Sequence, residues 1–170
     1  SFWRADIERM IPADLERAKQ LSKPVSPSGT KIFIGHGQSG FWLQLQRFLQ
    51  DRLRLHTDEF ESVHTAGLSV KERLEQALDD AAFAFLVMTA EDEQPDGTVR
   101  ARQNVVHEAG LFQGRLGFNR AIVLLEEDCD EFSNIQGLVQ LRFPKGNMEA
   151  VYERIRKVLE REGLTSGKIA

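Results

Sequence analysis

The segment Ala82-Phe-Ala-Phe-Leu-Val-Met-Thr89 is the most strand-like part of the chain, and the fold prediction starts from it. It belongs to the longest uninterrupted apolar run, 81–88, which is far too short to span a bilayer. A short run of aromatic, branched and small apolar residues is typical of a strand that is buried on both faces of a parallel sheet. The run therefore predicts a central strand and no transmembrane segment.

Helical and strand-like patterns alternate around this strand. Before it, Ser69-Val-Lys-Glu72 fits a capping box that opens a helix. After it, apolar periodicity predicts a helix over about 101–116 and a closing helix over about 147–162, which Gly163 ends. Two further apolar runs predict strands, at 120–126 and at 138–143.

The N-terminal side of the strand continues the alternation. A buried strand is predicted at 31–35 and a weaker one within 56–63. Between them lies a helix with one apolar face, formed by Phe41, Leu45, Phe48, Leu49 and Leu53. Because strands and helices alternate throughout, we expect an α/β domain with a parallel sheet that is covered by helices on both faces.

Residues 1–30 are predicted to form an appendage to this domain. Apolar spacing predicts a helical segment over 4–21, interrupted by Pro12, and 22–29 has the Ser, Pro and Gly content of a linker. We place the domain boundary there and assign 31–170 to the α/β domain. The chain begins with Ser1 rather than Met, so we expect a piece of a longer protein that carries a sensor or partner domain.

Composition excludes several classes of protein. The net charge of −4 argues against a duplex nucleic-acid binder, which usually has a basic excess. A single cysteine, Cys129, excludes a disulfide framework and a Cys-rich zinc cluster. The four histidines show no metal-ligand spacing, so we expect no metal site, and without a signal peptide we expect a cytoplasmic protein.

The loop Gly35-His-Gly-Gln-Ser-Gly40 follows the first strand and opens a helix. In parallel sheets, ligands bind beyond the carboxyl ends of the strands, and backbone N–H groups at a helix start attract anions. The loop therefore resembles a phosphate cradle, although it is neither a P-loop nor a dinucleotide fingerprint. The alternative is a tight turn with Ser39 as the N-cap.

Glu108 is the candidate catalytic carboxylate of the 101–116 helix. It lies about 60° from Val105, at the margin of the apolar stripe, where partial desolvation tends to raise a carboxyl pKa. The alternative is an exposed glutamate that pairs with Arg115 or Arg102. Three glycines in the same segment suggest close backbone packing or the approach of a ligand: Gly110, Gly114 and Gly117.

The sequence gives weaker indications of a catalytic or binding role for the other candidate residues. Cys129 has no base beside it in sequence, which argues against a thiol nucleophile. The acidic residues of 91–96 are predicted to form a solvated loop. Phe112 is assigned to the core, whereas Trp42 could be core or could stack on a base or nicotinamide ring. One isolated glutamate, a Gly-rich loop and no metal suit the cleavage of an N-glycosidic bond, whose oxocarbenium-like transition state a single carboxylate stabilises.

Three stretches resemble the bacterial TIR-like domain family, which was described as predicted nucleotide-binding: Lys31-Ile-Phe-Ile-Gly-His-Gly37, the turn Thr89-Ala-Glu-Asp92, and above all Arg102-Gln-Asn-Val-Val-His-Glu-Ala-Gly-Leu-Phe-Gln-Gly-Arg-Leu-Gly117. The resemblance covers about 31–144. It implies a flavodoxin-like sheet of five parallel strands. It also implies an NAD glycohydrolase effector of antiphage defence, fused in some members to a sensor such as a STING-like cyclic-dinucleotide receptor.

The resemblance also implies roles for single residues. Glu108 matches the family's catalytic glutamate, which engages the nicotinamide-side ribose and promotes loss of nicotinamide. Gly67 and Leu68 match a mobile loop that moves on assembly. The residues matching the nucleotide-bordering loop of the first strand are Phe33, Gly35, His36, Gly37 and Ser39.

The chain departs, just before the glutamate, from the TIR domains outside this TIR-like branch. Those domains carry a Trp-Cys pair where this chain has Asn104 and Val105. We suggest that Asn104 orients Glu108 or bonds a ribose hydroxyl, because the two residues lie one helical turn apart.

We therefore predict a hydrolase that cleaves NAD to nicotinamide and ADP-ribose, with NAD as substrate and no cofactor. Self-association through TIR–TIR contacts is implied, as is a sensor domain in the full-length protein, with no direct nucleic-acid or membrane partner. One alternative is a nucleoside 2-deoxyribosyltransferase-like enzyme, whose fold is related. The other is a non-catalytic TIR module that signals by self-association.

Overall fold

A computed structural model describes residues 29–59, 69–131 and 140–166 and contains a five-stranded parallel sheet. Its strands are β1 (Lys31–His36), β2 (Thr57–Glu59), β3 (Ala81–Met88), β6 (Ala121–Glu126) and β7 (Gln140–Phe143). They lie in the order β2-β1-β3-β6-β7, and every pairing is parallel. The sheet confirms the flavodoxin-like prediction. The predicted N-terminal helix and almost all of its linker, with Gly67 and Leu68, lie outside the described residues.

Helices cover both faces of the sheet. They are α1 (Phe41–Arg47), α2 (Val70–Asp80), α3 (Gln103–Leu116) and α4 (Tyr152–Arg161), the last preceded by a 3₁₀ turn at Met148–Val151. The single helix expected after β1 changes character, because α1 continues as a π-helical segment over Phe48–Arg52. There the Leu53 N–H donates to the Phe48 carbonyl at 3.3 Å, five residues back instead of four.

Two apolar layers form because alternate side chains of each strand point to opposite faces. On β3, Phe83, Phe85 and Val87 face the layer made with α1 and α4. Their neighbours Ala84, Leu86 and Met88 face the layer made with α2 and α3. All eight residues of β3 are buried, as the apolar run predicts.

The acidic segment after β3 is more ordered than the solvated loop that was expected. Two short antiparallel strands, β4 (Asp92–Glu93) and β5 (Val99–Arg100), form a hairpin there. Asp130 ties this hairpin to the turn after β6, because its carboxylate accepts from the Val99 N–H at 3.0 Å and its own N–H donates to the Val99 carbonyl at 2.9 Å. The hairpin therefore lies at the carboxyl end of the sheet.

Candidate functional site

Glu108 lies in the second turn of α3 and is only 5% exposed. Its side chain points at β1, where a Cβ added to Gly35 would come within 2.6 Å of Glu108 Oε2. Gly35 is the next-to-last residue of β1 and pairs with Leu86 of β3. The carboxyl group therefore lies near the carboxyl edge of the sheet, and only a glycine at position 35 leaves room for it.

The environment of Glu108 is unfavourable to a negative charge. Its Oε2 is buried and has no hydrogen-bond partner among the residues that the structure describes. Desolvation by burial raises the pKa of Glu108 to about 7. The alternative of an exposed ion pair is wrong, since the Arg115 guanidinium bonds Asp79 at 2.7 Å instead. At neutral pH Glu108 therefore keeps its proton more readily than an exposed glutamate does.

The loop between β1 and α1 already holds an anionic group. The N–H groups of Gln38 and Ser39 donate to Glu91 Oε1 at 2.7 and 2.8 Å. The N-cap of α1 is Gly40, without a side-chain cap, so Ser39 is not the N-cap. The loop therefore has converging backbone donors, which a carboxylate of the same chain occupies, and the binding of a phosphate there stays a prediction.

His36 and Trp42 form an aromatic pair beside this loop. Their rings stack with centroids 4.2 Å apart and an interplanar angle of 9°. His36 Nδ1 lies 2.7 Å from the Gly37 carbonyl oxygen, and its Nε2 is 3.9 Å from Glu59 Oε2. Trp42, which the sequence left between core and ring-stacking roles, is half-buried and stacks on this imidazole.

Two predicted contacts take a different form in the structure. Phe33 was expected to border the nucleotide, but it is fully buried and stacks on Phe112 at 4.1 Å, because its place on β1 faces the α2–α3 layer. Asn104 is exposed and makes no hydrogen bond with Glu108, so the suggested orienting role is not observed. Contact with a ribose hydroxyl remains a prediction for Asn104.

Glu91 and Glu126 were missed as site residues. Glu126 ends β6, is 5% exposed, and accepts from the N–H groups of Ala90 and Gly146, both at 3.4 Å. A carboxylate that directly ends an apolar strand is the sequence signal that could have found it. Glu91 offered no such signal, because its partners are backbone amides.

The remaining candidates have simple structural explanations. Burial raises the pKa of the Cys129 thiol to about 11, which agrees with an unreactive cysteine. A Cβ at Gly110 or Gly114 would meet no described atom within 4 Å, so close packing within the described segments does not explain these glycines. Gly117 ends α3 with a φ of +81°, a conformation that glycine adopts easily.

Among residues 29–59, 69–131 and 140–166, no group of three or more His, Cys, Asp or Glu could hold a metal ion. No helix in those ranges has the length and apolarity needed to cross a membrane. A cavity of about 580 Å³ opens between α1 and the 3₁₀ turn, and its charged lining residues are Arg47, Asp51, Arg52 and Glu149.

Comparison with known proteins agrees with this fold. Residues 31–145 match the family described as "CAP12/Pycsar effector protein, TIR domain". Because the match covers well over half of the chain, the chain belongs to this family of TIR domains. The resemblance seen in the sequence is thereby confirmed.

Several curated proteins are similar to this chain. YuaY of Escherichia coli K12 is 32% identical over 119 residues, which are 66% of this chain and 40% of that protein. CD-NTase-associated protein 12 of Flavobacterium daejeonense is 30% identical over 157 residues, 82% of this chain and 48% of that protein. Pycsar effector protein PaPycTIR of Pseudomonas aeruginosa is 29% identical over 159 residues, which are 84% of this chain and 48% of that protein. The chain thus spans less than half the length of these relatives.

Proposed function

We propose that this TIR domain is an NAD glycohydrolase in which Glu108 is the catalytic carboxylate. The observation that carries the proposal is the Glu108 side chain: buried, with Oε2 unpartnered in the described structure, and held against the backbone of Gly35. A carboxyl group kept in this state lowers the stability of the fold. Such groups are characteristic of functional sites, where a displaced pKa serves the chemistry.

The reaction breaks the bond between C1′ of the nicotinamide-side ribose and the nicotinamide nitrogen. The bonding electron pair leaves with the nicotinamide, and positive charge develops on the ribosyl centre. An ionised Glu108 beside C1′ stabilises that charge, and it does so strongly because the surroundings exclude water. Water then adds to C1′ and releases a proton, which gives ADP-ribose.

Binding of NAD also favours the ionised form of Glu108. The nicotinamide ring of NAD carries a positive charge, and an opposite charge at close range lowers a carboxyl pKa. We expect the pKa of about 7 in the free protein to fall when the ring binds. NAD is therefore a substrate whose own charge prepares the carboxylate, and the proposal needs no further cofactor.

The loop of β1 supplies the rest of the proposed substrate site. The N–H groups of Gln38 and Ser39 converge on one point and suit a phosphate oxygen of the nucleotide. The stacked pair His36–Trp42 lies beside this loop, and the proposal assigns it contact with an aromatic ring of NAD. Gly67 and Leu68, which lie outside the described residues, stay predictions from the family resemblance.

The proposal for the whole protein is a defence effector that acts on assembly. In the family resemblance, neighbouring protomers complete the site, and a sensor domain controls that assembly. Two of the similar proteins are named as an effector or as associated with a CD-NTase, which supports a role downstream of a nucleotide signal. Antiphage defence and TIR–TIR self-association are proposed for this chain on that basis.

The test is nicotinamide release from NAD over a series of protein concentrations. Wild type is compared with Glu108→Gln and with Glu75→Gln, a matched control on the exposed surface of α2. We expect release that rises faster than linearly with wild-type concentration, at least about 100-fold less release from Glu108→Gln, and no change in Glu75→Gln. Equal release from Glu108→Gln and wild type would overturn the assignment.

Two further measurements separate the alternatives. Nucleobase exchange on a deoxynucleoside without NAD cleavage would indicate the deoxyribosyltransferase-like enzyme. Self-association at high concentration without nicotinamide release, in the full-length protein with its activating signal, would indicate a non-catalytic interaction module.

A further inference from the structure

Glu91 makes two short hydrogen bonds across the carboxyl edge of the sheet. Its Oε1 accepts from the backbone N–H groups of Gln38 and Ser39 at 2.7 and 2.8 Å. Glu91 follows β3 in the chain, whereas the two donors follow β1. Both bonds are charge-assisted, which makes them stronger than bonds between neutral groups. The carboxylate thus has the position and the partners that a phosphate oxygen would need.

The Glu91 carboxylate lies directly against the loop backbone. A Cβ added to Gly37 would lie only 1.8 Å from Glu91 Oε2, so a side chain at position 37 would force the carboxylate to move. The contact between the two segments is therefore intimate, with the carboxylate pressed against the loop backbone.

The backbone beside Glu91 is held from two sides. The Glu91 N–H donates to the Arg100 carbonyl at 3.2 Å, within the β4–β5 hairpin. The Ala90 N–H donates to the buried carboxylate of Glu126 at 3.4 Å. Glu91 itself is half-buried, so rotation of its side chain can carry the carboxylate into solvent while this backbone stays in place.

We propose that Glu91 is an autoinhibitory group that occupies the place of a nucleotide phosphate on the Gln38 and Ser39 amides. The inference rests on the proposed function, because it concerns the same substrate site. Two anionic oxygens cannot share the same pair of N–H donors, and their charges repel at that distance. A nucleotide therefore binds this loop only when the Glu91 carboxylate has turned away.

In this proposal the contact lowers the basal affinity for the nucleotide without any change in Glu108. The nucleotide must first displace a carboxylate that is covalently part of the chain and therefore always present at high effective concentration. Any event that draws Glu91 to another partner frees the two amides in a larger fraction of the domains. The apparent affinity for the phosphate rises in proportion to that fraction. The regulation acts on substrate binding rather than on the chemical step.

The experiment compares ADP with adenosine, two ligands that differ by the two phosphates. Binding is measured by calorimetry, and the Gln38 and Ser39 amide signals are followed by NMR. The Glu91→Gln variant keeps a hydrogen-bond acceptor but loses the charge. We expect it to bind ADP about tenfold more tightly than wild type, with adenosine binding unchanged and with both amide signals shifted by ADP.

Two controls keep this test interpretable. Glu93→Gln removes an exposed carboxylate from the same hairpin and should leave ADP binding as in wild type. Glu91→Ala removes both charge and acceptor and should strengthen ADP binding in the same direction, while circular dichroism checks that each variant is folded.

Unchanged or weaker ADP binding in folded Glu91→Gln would overturn the proposal and would make Glu91 a purely structural cap. Failure of the proposed reaction has a different signature. In that case ADP binds more tightly to Glu91→Gln, yet no variant releases nicotinamide from NAD.

Discussion

Glu108 is the residue at which the stability of the fold and the proposed chemistry conflict, because burial of its carboxyl group destabilises the domain. Its ordinary pKa of 4.5 applies in the unfolded chain, whereas burial raises the pKa to about 7 in the folded domain. Between these values the unfolded chain has lost the proton and the folded domain still holds it, so stability falls as the pH rises through this window. Below the window the penalty is absent, and above it the penalty is complete, on the order of 3 kcal/mol.

Replacing this carboxyl by a neutral amide should remove the pH dependence. We expect Glu108→Gln to unfold with nearly the wild-type free energy at pH 4 and to be more stable than wild type by up to about 3 kcal/mol at pH 8. Urea unfolding at the two pH values measures this, with Glu75→Gln as the exposed control. A stability difference that is the same at both pH values would contradict the role of burial.

Single residues of the site were only partly predictable. Glu108 was found because helical periodicity places it at the margin of an apolar stripe. That stripe is formed by residues close to Glu108 in the sequence, so the sequence alone reveals it. Its partner Gly35 was assigned to the nucleotide loop and not to Glu108, since their contact depends on which strand residue faces α3. Glu91 was taken for a solvated acid, although its turn at 89–92 is part of the family resemblance, because a side chain that bonds distant backbone amides leaves no periodicity in the sequence.

At the scale of elements, the capping box predicted for α2 is confirmed. The Ser69 N–H donates to the Glu72 carboxylate at 2.7 Å, and the Glu72 N–H donates to Ser69 Oγ at 3.2 Å. The Ser69 N–H bond also holds the pKa of Glu72 below its ordinary value. Two N–H groups that a helix start leaves unpaired are thereby satisfied.

Loss of this cap should weaken the domain by a modest amount. We expect Ser69→Ala to lower the free energy of unfolding by about 1 kcal/mol, since it leaves the Glu72 N–H without its acceptor. Thermal and urea unfolding measure the change, and Ser166→Ala, at an exposed position outside the helices, serves as the comparison. Equal stability of the two variants would mean that water replaces the cap without loss.

Elements with clear periodicity were predicted well, and β2 lies within the predicted range 56–63, whereas the two-residue strands were missed. The helices α2, α3 and α4 begin or end within a few residues of the expected positions, because each has a long apolar face or a capping signal. The two-residue strands β4 and β5 carry no periodicity and were read as a loop. The π-helical segment after α1 was also missed, since it keeps the same apolar side chains inward.

For the molecule as a whole, the sheet separates the apolar interior into two layers. Ile155 of α4 belongs to one layer and Leu125 of β6 to the other, and both are fully buried. The existence of the two layers followed from strand–helix alternation alone. The strand order β2-β1-β3-β6-β7 did not follow from it, because order depends on contacts between distant segments.

Because the layers lie on opposite faces, changes in them should act independently. We expect Ile155→Val to cost about 1 kcal/mol and Leu125→Ala about 3 kcal/mol, and the double variant to lose their sum within about 0.5 kcal/mol. Urea unfolding of the four proteins gives the coupling energy. A coupling above about 1 kcal/mol would show that the sheet transmits repacking from one layer to the other.

The lone cysteine has a practical consequence for anyone who handles the protein. Cys129 is 3% exposed, and its thiol is protonated at all working pH values because burial holds its pKa near 11. Maleimide dyes react with exposed thiolates and leave such a group unlabelled in the folded domain. A cysteine introduced on the surface therefore takes a fluorophore by itself, and the association of domains can be followed by energy transfer without first removing a native thiol.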